Sequence, residues 1–160
     1  MRLTIGVLLA ALISPLAQAE LIDEVNDRGE LRIAVQADTP PYAYRENEHL
    51  TGFEIELGQA LANELDVRVE FIETTADDML PGVENGKYDI ALNQTGAEQK
   101  TDGALDLSQP YGRESLVIPF QKDNPAFESA VNNALQRIEA DGRLAALEQK
   151  WLEGRAANEP

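Results

Sequence analysis

The sequence predicts an α/β fold, a doubly wound and mostly parallel sheet with helices on both faces. Two observations point there. Between residues 31 and 92 the hydrophobic period switches from two to 3.6 and back, so strand, helix, strand, helix and strand follow one another. Their connections are short, and parallel neighbours need such helical crossovers, which pack right-handed on the sheet. No cysteine is present, so a core of this kind must hold the chain without disulfide staples.

Leu21, Ile22 and Val25 stand at helical spacing and Gly29 stands where a left-handed cap belongs, which predicts a helix over 20–28. Leu31, Ile33 and Val35 alternate with polar neighbours as a first strand over 31–35. Residues 37–51 hold Pro40-Pro41, two tyrosines and a run of charged and amide side chains, and read as a long surface loop. Phe53, Leu57, Ala60, Leu61 and Leu65 form one stripe of a helix over 53–64, with Glu54, Gln59 and Asn63 on other faces. A second strand covers 67–71, and a short helix begins at Asp77 or Asp78 and ends near Asn85-Gly86. A third strand covers 88–92.

Residues 115–120 form an apolar run interrupted by Pro119, which predicts a fourth strand at an edge or bend. Asn124 then caps a helix that has Pro125 at its first position and Phe127, Val131, Ala134, Leu135 and Ile138 as its buried stripe. Gly142 stops it. Leu144, Leu147 and Trp151 continue in a shorter helix, and the chain from Gly154 reads as a frayed tail, with residues 155–160 as its flexible end.

Residues 1–19 carry Arg2, an apolar run over 3–13, a Ser14-Pro15 break and the small residues of Ala17-Gln18-Ala19, the pattern of a secretory signal peptide cleaved after Ala19. That run is too short to span a bilayer, and no later segment is more apolar, so no membrane insertion of the mature chain is expected. A net charge of −16 disfavours nucleic acid and anionic lipid as partners. His49, the one histidine, sits among charged loop residues as a solvated side chain. Ser108, Ser115 and Ser129 have no evident partner base, and there is no glycine-rich phosphate loop. Asp102-Gly103 and Asp106 are too sparse for a calcium loop. The paired acids Glu54/Glu56 and Asp77/Asp78 read as the usual negative bias of helix starts. Neither catalysis, a metal nor a cofactor is expected.

Several motifs in combination carry a resemblance: the Pro40-Pro41 loop with its aromatics, Gly52-Phe53-Glu54-Ile55-Glu56-Leu57, Gly86-Lys87-Tyr88-Asp89-Ile90, Ser108-Gln109-Pro110-Tyr111, and Gly142-Arg143-Leu144 to Lys150-Trp151. Together they resemble the polar amino-acid family of periplasmic solute-binding proteins, bacterial extracellular solute-binding protein family 3. Asn93-Gln94 further resembles its cystine-binding branch. Such proteins have two lobes that close on a ligand. Here Ser108 to Tyr111 is followed within a few residues by Lys122-Asp123-Asn124-Pro125, two signatures that belong on either side of a second lobe. The resemblance therefore implies a single lobe of a periplasmic binding protein type II fold, spanning 20–154, with the second lobe missing.

From the same resemblance follow a periplasmic location, a small polar solute such as an amino acid, and an ABC permease as partner. The ligand-binding residues it implies are Tyr42 and Tyr44 in the aromatic loop, and Asn93, Gln94 and Thr95 at the carboxyl end of the third strand, where open α/β sheets bind ligands. An arginine that would grip a carboxylate is replaced by Thr101, with Lys100 beside it, and a bulky apolar wall is replaced by Ala76. A symmetric homodimer would bury the uncovered face. The alternative is a non-transport interaction or sensory module that reuses the lobe and has lost amino-acid binding.

Overall fold

The computed structural model describes residues 20–98, 101 and 103–153. The signal-peptide reading of 1–19, Lys100, Asp102 and the tail from Gly154 lie outside the described residues.

Helix α1 (Leu21–Arg28) is closed by Gly29 in the left-handed conformation at φ 70° and leads into β1 (Glu30–Val35). Helix α2 (Phe53–Glu64) crosses to β5 (Arg68–Glu73), and α3 (Ala76–Glu84) crosses from β5 to β6 (Ile90–Leu92). Strand β1 pairs in parallel with β5, from Glu30 against Arg68 to Val35 against Glu73, and with β6, from Ile33 against Ile90 to Val35 against Leu92. Two further strands, β7 (Leu105–Leu107) and β8 (Pro119–Gln121), complete a five-stranded sheet in the order β5-β1-β6-β8-β7, in which only β8 runs against its neighbours.

Alternation along β1 divides the core between the two faces. Leu31, Ile33 and Val35 pack with α1, α2, α4 (Pro125–Ala140) and α5 (Arg143–Glu148), while Ala34 packs with Met79 and Val83 of α3. All five apolar residues read as the α4 stripe are buried. A π-helical turn, Gln149–Glu153, follows α5 and presents Trp151 to α2, where its indole N–H donates to Glu56.

Four sequence expectations are corrected. The 37–51 segment contains β2 (Asp38–Thr39), β3 (Ala43–Glu46) and β4 (His49–Thr51), a separate antiparallel sheet. Asn47 and Glu48, at φ 50° and 67°, turn the chain between β3 and β4 with Glu46 opposite His49. That is the two-residue mirror-image turn whose twist suits a hairpin, here with glutamate where glycine is usual. The fourth strand lies inside the sheet and not at an edge, because β7 pairs on its far side, and Pro119 is tolerated there as the first strand residue. The third strand is only three residues long, Tyr88 and Asp89 preceding it as buried side chains.

The fourth correction concerns Asn124. It precedes α4 as expected, yet its side chain caps a different helix: Oδ1 accepts the Leu21 N–H of α1 at 2.8 Å, and Glu20 Oε2 accepts the Ala126 N–H of α4 at 3.0 Å. The two helices thus satisfy one another's exposed N–H groups, which a reading of either helix alone does not show.

Candidate functional site

In a parallel sheet the carboxyl ends of neighbouring strands deliver their loops to one edge. Here β1 leads into the segment carrying Tyr42, and β6 leads into Asn93, Gln94 and Thr95. The start of α2 joins these two segments. Gly52 adopts φ 126°, and Phe53 and Glu54 donate their backbone N–H groups to the carbonyls of Pro41 (3.0 Å) and Tyr42 (2.8 Å). The Tyr42 ring stands edge-on to Phe53 with centroids 6.2 Å apart, and its hydroxyl donates to Glu114 at 2.9 Å.

Gln94 lies in the left-handed region at φ 49°, and both its backbone N–H (2.9 Å) and its side-chain amide (2.7 Å) donate to Glu54 Oε1. Thr95 is buried and its carbonyl accepts the Val117 N–H at 2.8 Å; Asn93 is half-buried beside them. Tyr42 and Gln94 therefore gather at the first turn of α2, with Thr95 following Gln94 in the chain and tied to Val117. Tyr44 joins another cluster, edge-on to Trp151 at 6.3 Å, where it helps to seat the C-terminal turn.

The junction between the two family signatures is a tight turn. Tyr111 and Leu116 exchange backbone hydrogen bonds at 2.8 and 3.1 Å around Gly112, Arg113, Glu114 and Ser115. Glu139 of α4 accepts the Gly112 N–H at 3.2 Å, and the buried Glu148 of α5 accepts the Arg113 N–H at 2.9 Å. The same turn thereby places Glu114 over the Tyr42 hydroxyl.

Sequence reasoning missed two features. One is an open cleft of about 650 Å³ at the carboxyl ends of β1 and β5, lined by Gln36, Asp38, Glu73, Thr74, Ala76 and Lys87 among others. None of the five candidate residues lines it. Its Glu73 is held below the usual carboxylate range by the hydrogen bond from Arg45, and Tyr88 donates to Thr74 at 3.2 Å. The expected arginine position, Thr101, spends its hydroxyl on the Leu105 carbonyl at 3.3 Å. Among the described residues no three acidic or histidine side chains are grouped to hold a metal ion.

The other is Glu54, expected off the apolar stripe and found 0% exposed, with Oε2 lacking a partner among the described residues. The missed signal was spacing: Glu54 shares a helical stripe with Leu57, Gly58 and Leu61, all buried. Burial pushes its carboxyl up from 4.5 to about 7, against the lowering effect of the two Gln94 bonds. A carboxyl raised on folding binds more protons in the folded chain than in the unfolded one between those values, so its contribution to stability falls as pH rises through that window. The loss is at most about 3 kcal/mol. Glu54→Gln removes this slope: urea unfolding should show little change at about pH 4 and a gain of about 1–3 kcal/mol at about pH 8. Parallel pH profiles for the two proteins would contradict the assignment.

Residues 31–154 match the bacterial extracellular solute-binding proteins, family 3. The L-cystine-binding protein TcyJ of Escherichia coli (strain K12) is 29% identical over 125 residues, 74% of this chain and 47% of that protein. The L-cystine-binding protein TcyA of Bacillus subtilis (strain 168) is 28% identical over 112 residues, 69% of this chain and 41% of that protein. This chain thus spans under half the length of these two curated relatives. Among solved structures, the arginine-bound form of domain 1 from TmArgBP superposes with a TM-score of 0.67 at 24% identity, covering 72% of this chain and 98% of that one, a likeness of fold. With the matched segment running from the first strand through the final helices, the chain belongs to the bacterial extracellular solute-binding proteins, family 3.

Proposed function

We propose that this chain is an exported, periplasmic solute-binding domain, without catalytic activity, that takes a small polar solute of the amino-acid class and serves an ABC importer. The observation that carries the reading is the attachment of Tyr42 and Gln94 to one residue, Glu54, at the carboxyl edge of the sheet. Together with Asn93 and Thr95 they supply an aromatic wall, amides and a hydroxyl, the groups with which a small site orients a zwitterion. Tyr44, edge-on to Trp151, stands apart from this group. The names of the cystine-binding relatives and the arginine-bound single domain fit the same solute class.

An open rim forgoes the contacts and water exclusion that a second covering surface supplies, so affinity in the millimolar range is expected. A solute at about ten times its Kd adds about 1.4 kcal/mol, a rise in Tm of about 3–6 °C. A thermal-shift series with freely soluble amino acids, among them L-arginine at about 10 mM, reads this directly, and a series flat for all of them would contradict amino-acid binding. A symmetric homodimer closing rim to rim would supply the missing cover, and sedimentation at micromolar concentration with and without solute reports it.

A second reading, an interaction or sensory module, is favoured by one feature. The Thr101 hydroxyl is turned to its own loop, and the rim carboxylate of Glu114 stands on Tyr42, so neither position offers a guanidinium fork to an acid. A flat thermal series combined with capture of a protein partner would move the assignment there.

A further inference from the structure

Glu54 bonds both the Tyr42 segment and Gln94 while having no exposure of its own. Its backbone N–H holds the Tyr42 carbonyl, its Oε1 takes both Gln94 donors, and it stands in electrostatic contact with the buried Tyr111 phenol at the base of the Gly112–Ser115 turn. Gln94 is neither glycine nor asparagine, yet it holds a left-handed backbone. Side chains with a Cβ adopt that conformation rarely, and surrounding bonds must enforce it. The two Gln94 bonds to a single carboxyl oxygen provide that enforcement.

We propose that Glu54 is the positioning residue of the rim, fixing the Tyr42 wall and the Asn93–Thr95 loop as one unit from beneath. The inference rests on the proposed solute site for its functional meaning, while its structural content is the hold of the Glu54 carboxyl on Gln94 and of the Glu54 backbone N–H on the Tyr42 carbonyl. Without the Glu54 carboxyl, Gln94 relaxes toward the ordinary right-handed region and carries Asn93 and Thr95 out of register with Tyr42. The charged and titratable groups around Glu54 are few. Tyr111, pushed well up by burial and by Glu54 and Glu114, faces it from the turn, with Tyr42 and Glu114 beyond. Glu56 on the same helix is turned to Lys150 and Trp151. A proton on or off Glu54 is therefore felt first at Gln94, the hydrogen-bond partner of its one bonded oxygen.

The test follows Gln94 by amide NMR in the full chain, comparing wild type with Glu54→Ala and Glu54→Gln, and measures L-arginine binding by calorimetry alongside. The expected result is that Glu54→Ala speeds hydrogen exchange at the Gln94 backbone amide about tenfold or more and weakens binding about tenfold, and that Glu54→Gln, which keeps an acceptor oxygen, restores both. In wild type, the Gln94 backbone and side-chain amide signals should shift together with a midpoint near 7. Glu54→Asp, which keeps the charge and withdraws the carboxyl by one methylene, decides the matter through faster exchange at the same amide if Glu54→Ala fails to fold. Unchanged Gln94 exchange in Glu54→Ala, or in Glu54→Asp should Glu54→Ala fail to fold, would overturn the proposal. If wild type binds no L-arginine while the Gln94 signals behave as stated, the solute reading fails and the positioning role stands.

Discussion

Gly52→Ala should remove about 4 kcal/mol or more of folding free energy, an exceptional loss for one methyl group. Two costs combine. At φ 126° and ψ 178° the residue lies in a region essentially reserved for glycine. A Cβ there would also fall onto the Tyr42 carbonyl group and 2.8 Å from the Pro41 carbonyl oxygen. Both obstacles are backbone, so no side chain can rotate to make room. Because those carbonyls accept the Phe53 and Glu54 N–H groups, moving them also opens the first turn of α2. Against a domain stability of about 5–15 kcal/mol, urea unfolding should show a large drop in midpoint or no cooperative transition. A loss under about 1 kcal/mol would show that the Tyr42 segment is not held as described.

Asp89→Ala should cost about 3 kcal/mol at the opposite end of the sheet. Asp89 is 0% exposed; its Oδ2 accepts the Arg32 backbone N–H at 2.7 Å and a bond from the Arg28 guanidinium, and its Oδ1 accepts Arg32 Nη2 at 3.1 Å. Alanine leaves that N–H without a partner and two arginines without their counter-charge. The arginine side chains are 31% and 23% exposed, so they can turn partly to water, which holds the loss to the lower end of the range for a broken buried pair. Asp89→Asn keeps an acceptor oxygen for the Arg32 N–H and should cost about half as much. Thermal and urea unfolding of the two variants check the order, and equal stability of Asp89→Ala with wild type would contradict this account of how α1, β1 and β6 are joined.

The parts of this fold that were legible in the sequence are those whose burial is periodic. The Phe53 to Leu65 stripe gives α2 its bounds, and the Phe127 to Ile138 stripe gives the buried face of α4, because a helix one-third buried repeats its apolar residues every turn. Strands of two to four residues have no room for a repeat, so β2, β3, β4 and β7 left no pattern to read. Polar burial was illegible for a different reason. Glu54 and Asp89 look like ordinary surface acids until Gln94, Arg28 and Arg32 are brought beside them by the strand order, which is a long-range property of the chain. The same holds for Asn124, whose helix partner lies more than a hundred residues away. Of the five candidate site residues, the structure brings Tyr42 and Gln94 together at Glu54, with Asn93 and Thr95 flanking Gln94 in the chain, while the hairpin after Pro41 takes Tyr44 to Trp151.

The most direct test of the central claim, that the carboxyl edge between β1 and β6 is the solute site, is an amide NMR titration of the full chain with L-arginine and L-cystine. The account predicts shifts concentrated at Tyr42, Asn93, Gln94, Thr95 and the Gly112–Ser115 turn that rises over them. Shifts confined to Thr74, Ala76 and Lys87 of the neighbouring cleft, or none at saturating solute, would contradict it.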